Sequence, residues 1–352
     1  MEQENTLTTT PTTQVRKRVA WIDFAKFIGI LIVIAGHRAG NKILNLFLYS
    51  FSVPVFFILS GMTFSFSKDF HSFAKKSLKR FLRLLVPYII TLLVVFTIVL
   101  IRDNSQLTNP NFYLNQTYRL IGNVSANYLN VHALWFLFAL FTGSTLFDLL
   151  HLVCKNDNLF GMLCGLISIL GVFMGMQLNH MPLSLDVSLA ILIFMFTGYK
   201  LKNFDFSKKP LLRNLILLII WGALITLMWF SDKNGTYMAI SNRRYTLFPI
   251  CYIAAIAGSL LYLQLCFYIE KAMPKVIKPF AFLGKYTLYM VLVHGFGQFC
   301  FRYWFNLTDN THLNNLIYFG VGTAIFAVIL IIDLLIHHMM KKKKENKVVE
   351  AS

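Results

Sequence analysis

Residues 21–37 read Trp21-Ile-Asp-Phe-Ala-Lys-Phe-Ile-Gly-Ile-Leu-Ile-Val-Ile-Ala-Gly-His37. The run approaches the ~20 apolar residues that cross a bilayer, yet it carries Asp23, Lys26 and His37. Ionisable side chains in a membrane helix are costly and normally face a cavity or a partner. Eleven residues at ~100° each return to nearly the same face, so Lys26 and His37 share one stripe, ~16 Å apart along the axis. Asp23 lies one turn from Lys26 on that stripe. An imidazole at one end of a polar stripe suits a transmembrane active site, because histidine exchanges protons with hydroxyls near neutral pH. Taken singly, Lys26 reads as a snorkelling cation and His37 as an interface marker. The three on one face favour chemistry.

The rest of the chain extends the membrane reading. Of 352 residues, 57% are hydrophobic and 14% charged. Soluble domains carry about 25% charged residues, so a soluble globular enzyme and a disordered chain are both excluded. Ten candidate spans follow, at about 19–37, 43–66, 84–101, 132–151, 159–177, 184–200, 212–231, 246–268, 280–301 and 315–338. The expected fold is an all-α integral membrane protein of about ten transmembrane helices, with both termini cytoplasmic and no extramembrane domain. Its expected organisation is a polar and basic N-terminal tail (1–18), a ten-helix domain (19–339) and a basic C-terminal tail (340–352).

Charge placement supports that topology. With the N-terminus in the cytoplasm, 23 of the 33 Lys and Arg residues fall in inner segments and 8 in outer ones, as the positive-inside rule requires. The net charge of +18 is therefore read as orientation and contact with anionic lipid, not as nucleic-acid binding. The five cysteines lie in or beside apolar runs, without CxxC or Cys/His metal spacing. They read as small buried hydrophobes, and no metal site is expected.

Four further segments stand out. Pro54 and the Ser60-Gly61 pair suit a broken helix lining a cavity, or a tight helix contact. The densest basic cluster, Lys75 to Arg83, contains Lys79, Arg80 and Arg83. Arg80 and Arg83 project from adjacent turns of one face, and their planar forks match phosphate oxygens. A phosphorylated cofactor entering from the cytoplasm would be held there. His132 and Trp135 open the fourth span at the outer face, and Gly284 to His294 runs into the ninth. His294 and His132 are expected to matter less than His37, since neither lies on the Lys26–His37 stripe. Asp186, at similar depth, is the carboxylate expected to orient His37.

Together these segments resemble acyltransferase family 3 of bacterial membrane O-acyltransferases, in particular its fucose 4-O-acetylase-like branch. The matching pieces are Ile22-Asp-Phe-Ala-Lys26 with Gly36-His37, Pro54 to Gly61, Arg80-Phe-Leu-Arg83 ahead of Pro87, Leu134-Trp-Phe-Leu137, and Leu283-Gly-Lys-Tyr-Thr-Leu288 with His294. They occur in the family's order. The family's first span has a basic residue, ten others, then His; many members have Arg where this chain has Lys26, so the bidentate fork is lost there.

The resemblance implies ten core helices in a bacterial plasma membrane and acyl-coenzyme A, by default acetyl-CoA, as cytoplasmic donor. It implies a glycan hydroxyl as outer acceptor, with no permanently bound cofactor. By matching positions it implies His37 as catalytic residue and Arg80 and Arg83 as donor contacts. The reading of the residues agrees: a basic inner mouth for phosphates, a stripe for the thioester arm, and His37 as general base or nucleophile. Asp23 and Lys26 orient the stripe or meet the donor. The alternative is a transporter or flippase for glycans or lipid-linked sugars, which would also carry intramembrane His and Lys. Transporters often show inverted repeats with paired broken helices, and no such pairing is visible. A third reading is an assembly partner without catalysis.

Overall fold

A computed structural model describes residues 18–37, 41–102, 108–111, 132–178, 181–208, 210–231, 237–303 and 311–349. The fold is all-α; among the described residues the one β-type pairing is an isolated bridge between Ala239 and Arg244. The functional stripe forms α1, Ala20–Gly36. The Asn41 side chain accepts from the Ile43 and Leu44 amides (2.9 and 3.1 Å) and so caps α2, Lys42–Tyr49. Pro54 at a first-turn position, where its missing N–H costs nothing, opens α3, Pro54–Met62. Asp69 accepts from the Ser72 amide at 2.7 Å at the head of α4, Phe70–Arg102. That bond from the Ser72 backbone is the main reason the Asp69 carboxyl is held below the usual carboxylate range.

Among the described residues nine further α-helices follow: α5 Trp135–Val153, α6 Asp157–Leu178, α7 Leu185–Ala190, α8 Leu192–Leu201, α9 Pro210–Ser231, α10 Ile250–Ala272, α11 Pro274–Gly284, α12 Thr287–Tyr303 and α13 Thr311–Val349. Among the described residues, six stretches are long and apolar enough to cross a membrane alone, and eight if two bent pairs each count as one span. The bent pairs are Pro182–Ala190 with Leu192–Leu201, at 44°, and Pro274–Gly284 with Thr287–Gly297, at 61°. The remaining two of the ten expected spans coincide with shorter helix: α1 has 17 residues, and Phe319–Leu335 is an apolar stretch within α13. Two boundaries differ from expectation. The third span is the end of a helix that begins at Phe70, so the basic cluster 75–83 is its first turns. The last helix continues through the basic run to Val349 where a tail is expected.

Lipid-type faces are plain. Leu211, Leu215, Leu218 and Ile219 of α9, and Met162, Leu166, Leu170 and Phe173 of α6, are exposed apolar side chains. Inside, small residues let backbones touch. A Cβ on Gly61 would overlap the Met195 carbonyl, and one on Gly198 the Ile58 carbonyl, so α3 and α8 cross as closely as two helices can. Gly284 allows α11 the same approach to the Asp23 carbonyl on α1. Cys154, Cys164, Cys251 and Cys266 are buried free thiols, as small hydrophobes would be.

Ion pairs join segments expected on the same side. Arg80 pairs with Asp148 and Lys200 with Asp157, linking inner segments. Arg243 pairs with Asp186, linking outer ones.

Candidate active site

A cavity of about 560 Å³ runs between α1, α3, α4, α5, α12 and the 238–241 segment. Its lining joins the two ends of the predicted stripe. Arg18, Asp23, Lys26, Lys76, Lys79, Arg80, Arg83 and Lys285 line one end; His37, Tyr49, Trp135, His294 and Met238–Ser241 line the other. Between them the wall is mostly apolar, with Ile30, Val33, Phe56, Leu59 and Leu288, interrupted by Ser60. The volume lies within the range of small-ligand pockets.

At the basic end, Asp23 is buried and accepts from Lys26 Nζ at 3.1 Å, with Arg18 at 3.7 Å. Asp23 thus neutralises Lys26 and steadies the entry of the stripe. Arg80 is committed further than its sequence position suggests. Its Nη2 lies 2.7 Å from Asp148 Oδ2, and Asp148 also accepts from the Ser67 amide and hydroxyl, each at 2.8 Å. The Arg80 guanidinium carbon sits 4.7 Å from the Phe64 ring centroid, while Nη1 is buried and unpartnered. One edge of Arg80 is therefore structural and the other remains for an anion. Lys76 donates to the Ser65 and Phe66 carbonyls. No described residue pairs with Lys79 or Arg83, both of which face the cavity.

At the other end, His37 caps α1. Its Nδ1 is 3.2 Å from the Tyr49 hydroxyl in a hydrogen bond whose direction follows the imidazole tautomer. The His294 ring is 5.1 Å away, centroid to centroid. His294 lies on a different helix from the stripe, as expected, but α12 docks beside α1 and places its ring against His37. The expected pairing of Asp186 with His37 is replaced. Both Asp186 oxygens accept from Arg243, at 2.6 and 3.0 Å, and both side chains are buried. A bidentate Arg satisfies a buried carboxylate better than one imidazole does. Trp135 and Ser60 line the cavity as expected of neighbours. The side chain of His132 lies outside the described residues.

Sequence reasoning missed Asp148, Tyr49, Tyr237, Arg243 and Lys285. Asp148 was findable, being a carboxylate inside an apolar span. The others are placed by packing between distant segments.

A basic mouth and a histidine joined by one channel suit transfer of a group from a phosphorylated carrier at one side to an acceptor at the other. The family model described as an acyltransferase domain, that of acyltransferase family 3, matches residues 19–335. No curated protein and no solved structure matches. The matched region covers every helix that lines the cavity, and the chain belongs to acyltransferase family 3, a family of membrane acyltransferases.

Proposed function

We propose that this protein is an O-acyltransferase, by default an O-acetyltransferase, of the bacterial plasma membrane. It moves an acyl group from cytoplasmic acyl-coenzyme A to a hydroxyl of a surface or lipid-linked glycan. The observation that carries the reading is the single cavity shared by the basic cluster and His37. Both termini are taken to be cytoplasmic, and the enzyme holds no permanent cofactor; acetyl-CoA is a co-substrate. The fucose 4-O-acetylase-like branch is the family position that best suits the matched motifs.

Lys79, Arg83 and the unpartnered edge of Arg80 receive the donor phosphates through charge-assisted hydrogen bonds. The flexible arm of the donor follows the α1 stripe, and its thioester reaches His37. Nε2 of His37 takes the proton of the acceptor hydroxyl as its oxygen attacks the thioester carbonyl. The carbon–sulfur bond breaks, and the departing thiolate takes that proton from the imidazolium. The products are the O-acyl glycan and coenzyme A. In the two-step variant the acyl group rests first on Nε2 and then passes to the acceptor. Apolar walls between the ends exclude water, which limits wasteful hydrolysis.

The test is mass spectrometry of surface glycans from cells with the protein, without it, and with His37→Gln. An acyl mass increment that requires the intact protein and disappears in His37→Gln supports the proposal. Identical glycans in all three would overturn it.

A further inference from the structure

Tyr49 belongs to none of the motifs above, and the transfer just described makes no use of it. It is nevertheless the residue hydrogen-bonded to His37 Nδ1. Its ring is stacked on Tyr237 at 4.5 Å and 12°, and Gly36, the last residue of α1, leaves the ring edge room to approach. The Tyr49 hydroxyl is thus held by packing on two sides of its ring.

Tyr237 is itself held. It starts the segment that carries Met238–Ser241 over the outer end of the cavity. That segment closes on itself through the Ala239 and Arg244 amides and carbonyls (2.9 and 3.1 Å). Arg243 stands there in the left-handed region, φ 55°, which a long side chain adopts only when its surroundings impose it. The imposing contacts are the two bonds to Asp186 and one to the Ser241 carbonyl at 2.7 Å. The backbone of the 237–244 segment thus connects the buried ion pair to Tyr237, whose ring stacks on Tyr49, the hydrogen-bond partner of the imidazole.

We propose that Tyr49 is the positioning residue of His37, and that the Asp186–Arg243 pair acts on His37 through it. The role proposed for His37 needs the lone pair on Nε2, and in that tautomer Nδ1–H donates to the Tyr49 hydroxyl, which holds the ring in place. In the reverse arrangement Nε2 would carry the proton. The partner of one ring nitrogen sets the state of the other. This inference rests on the reading of His37 as the reacting group.

The test uses the full-length protein, labelled with ¹⁵N-histidine, in lipid nanodiscs. The His37 resonances are assigned by their loss in His37→Gln. The expected wild-type form is the Nδ1–H tautomer, the minor one for neutral imidazole in water. Tyr49→Phe keeps the ring stack and removes the acceptor. It is expected to return His37 to the Nε2–H form and to lower kcat by about 10- to 100-fold, as when the partner that fixes a ligating histidine is lost. KM for acyl-coenzyme A should not change. Arg243→Lys keeps the charge without the fork and is expected to shift His37 the same way, to a lesser extent. An Nε2–H tautomer in the wild type, or a Tyr49→Phe protein with wild-type tautomer and kcat, overturns the proposal. The two readings fail separately. Normal acylation by His37→Gln, with the tautomer shift still present in Tyr49→Phe, refutes the role of His37 and leaves the positioning contact intact.

Discussion

Removing Arg80 should destabilise the protein as well as weaken its donor site, and the two effects can be separated. Asp148 has no exposed side-chain surface, and Arg80 is its only countercharge among the described residues. In Arg80→Ala the two Ser67 hydrogen bonds remain, but a buried carboxylate is left without a cation. Breaking a buried pair from one side costs about 3–5 kcal/mol. Arg80 is 17% exposed and borders the cavity, so its loss admits water towards Asp148 and favours the lower end. About 3 kcal/mol corresponds to roughly 100-fold in the population of opened protein. Cys164, fully buried on α6, is a native probe of that opening. Under conditions where closing outruns modification, its thiol labelling rate in Arg80→Ala should rise by about 100-fold. In Arg80→Ala with Asp148→Asn the stranded charge is gone, and labelling should return to within about tenfold of wild type. Wild-type labelling in Arg80→Ala would refute the structural role and leave Arg80 as a donor contact only. Fast labelling in the double variant would show that packing over Phe64, not charge, is what Arg80 supplies.

Other outcomes follow from the same geometry. Arg83 and Lys79 have no ion-pair partner among the described residues, so Arg83→Ala and Lys79→Ala should each raise the apparent Kd for acyl-coenzyme A, by at most about 1.5–3 kcal/mol for a charged contact, with normal Cys164 labelling; equilibrium binding at low and high salt checks this, and an unchanged Kd would reduce the cluster to a topology signal. His37→Gln should lower glycan acylation by 10²–10⁴-fold or more while donor binding and membrane insertion persist, and near-normal acylation would make His37 structural. His294→Ala should also reduce turnover markedly, because its ring abuts His37; a silent His294→Ala in a turnover assay would assign it to packing. Single cysteines introduced between residues 202 and 208 should be labelled from the cytoplasmic side only, and external labelling would refute the ten-span topology.

How far the site was legible depended on whether its determinants lie along one helix or between helices. The Asp23, Lys26 and His37 stripe was readable because helical periodicity alone puts these residues on one face, and the structure sets all three in one cavity. The basic cluster stood out in the sequence, but not as the first turns of a longer helix. Its polarity hides it from a hydropathy count, although Asp69 caps it and nothing interrupts it before Arg102. Pro87 inside α4 did not stop the helix either, and the Thr91 hydroxyl donates to the Pro87 carbonyl one turn on, at 2.9 Å. The bent spans escaped notice because a hydropathy count runs straight through their breaks, which fall at Ile191 and between Gly284 and Thr287.

Relations between helices carried no local signal at all. Nothing in residues 287–303 indicates that His294 faces α1, because that follows from how α11 docks against the Asp23 carbonyl at Gly284 and sends α12 past His37. The assignment of Asp186 failed for a related reason. Depth brought it near His37 in principle, but a buried carboxylate goes to the donor that satisfies both its oxygens, and Arg243 arrives from a segment 57 residues further along the chain. The same displacement gives the outer end of the site its architecture. Arg243 takes Asp186, and the contact at His37 Nδ1 comes from the Tyr49 hydroxyl.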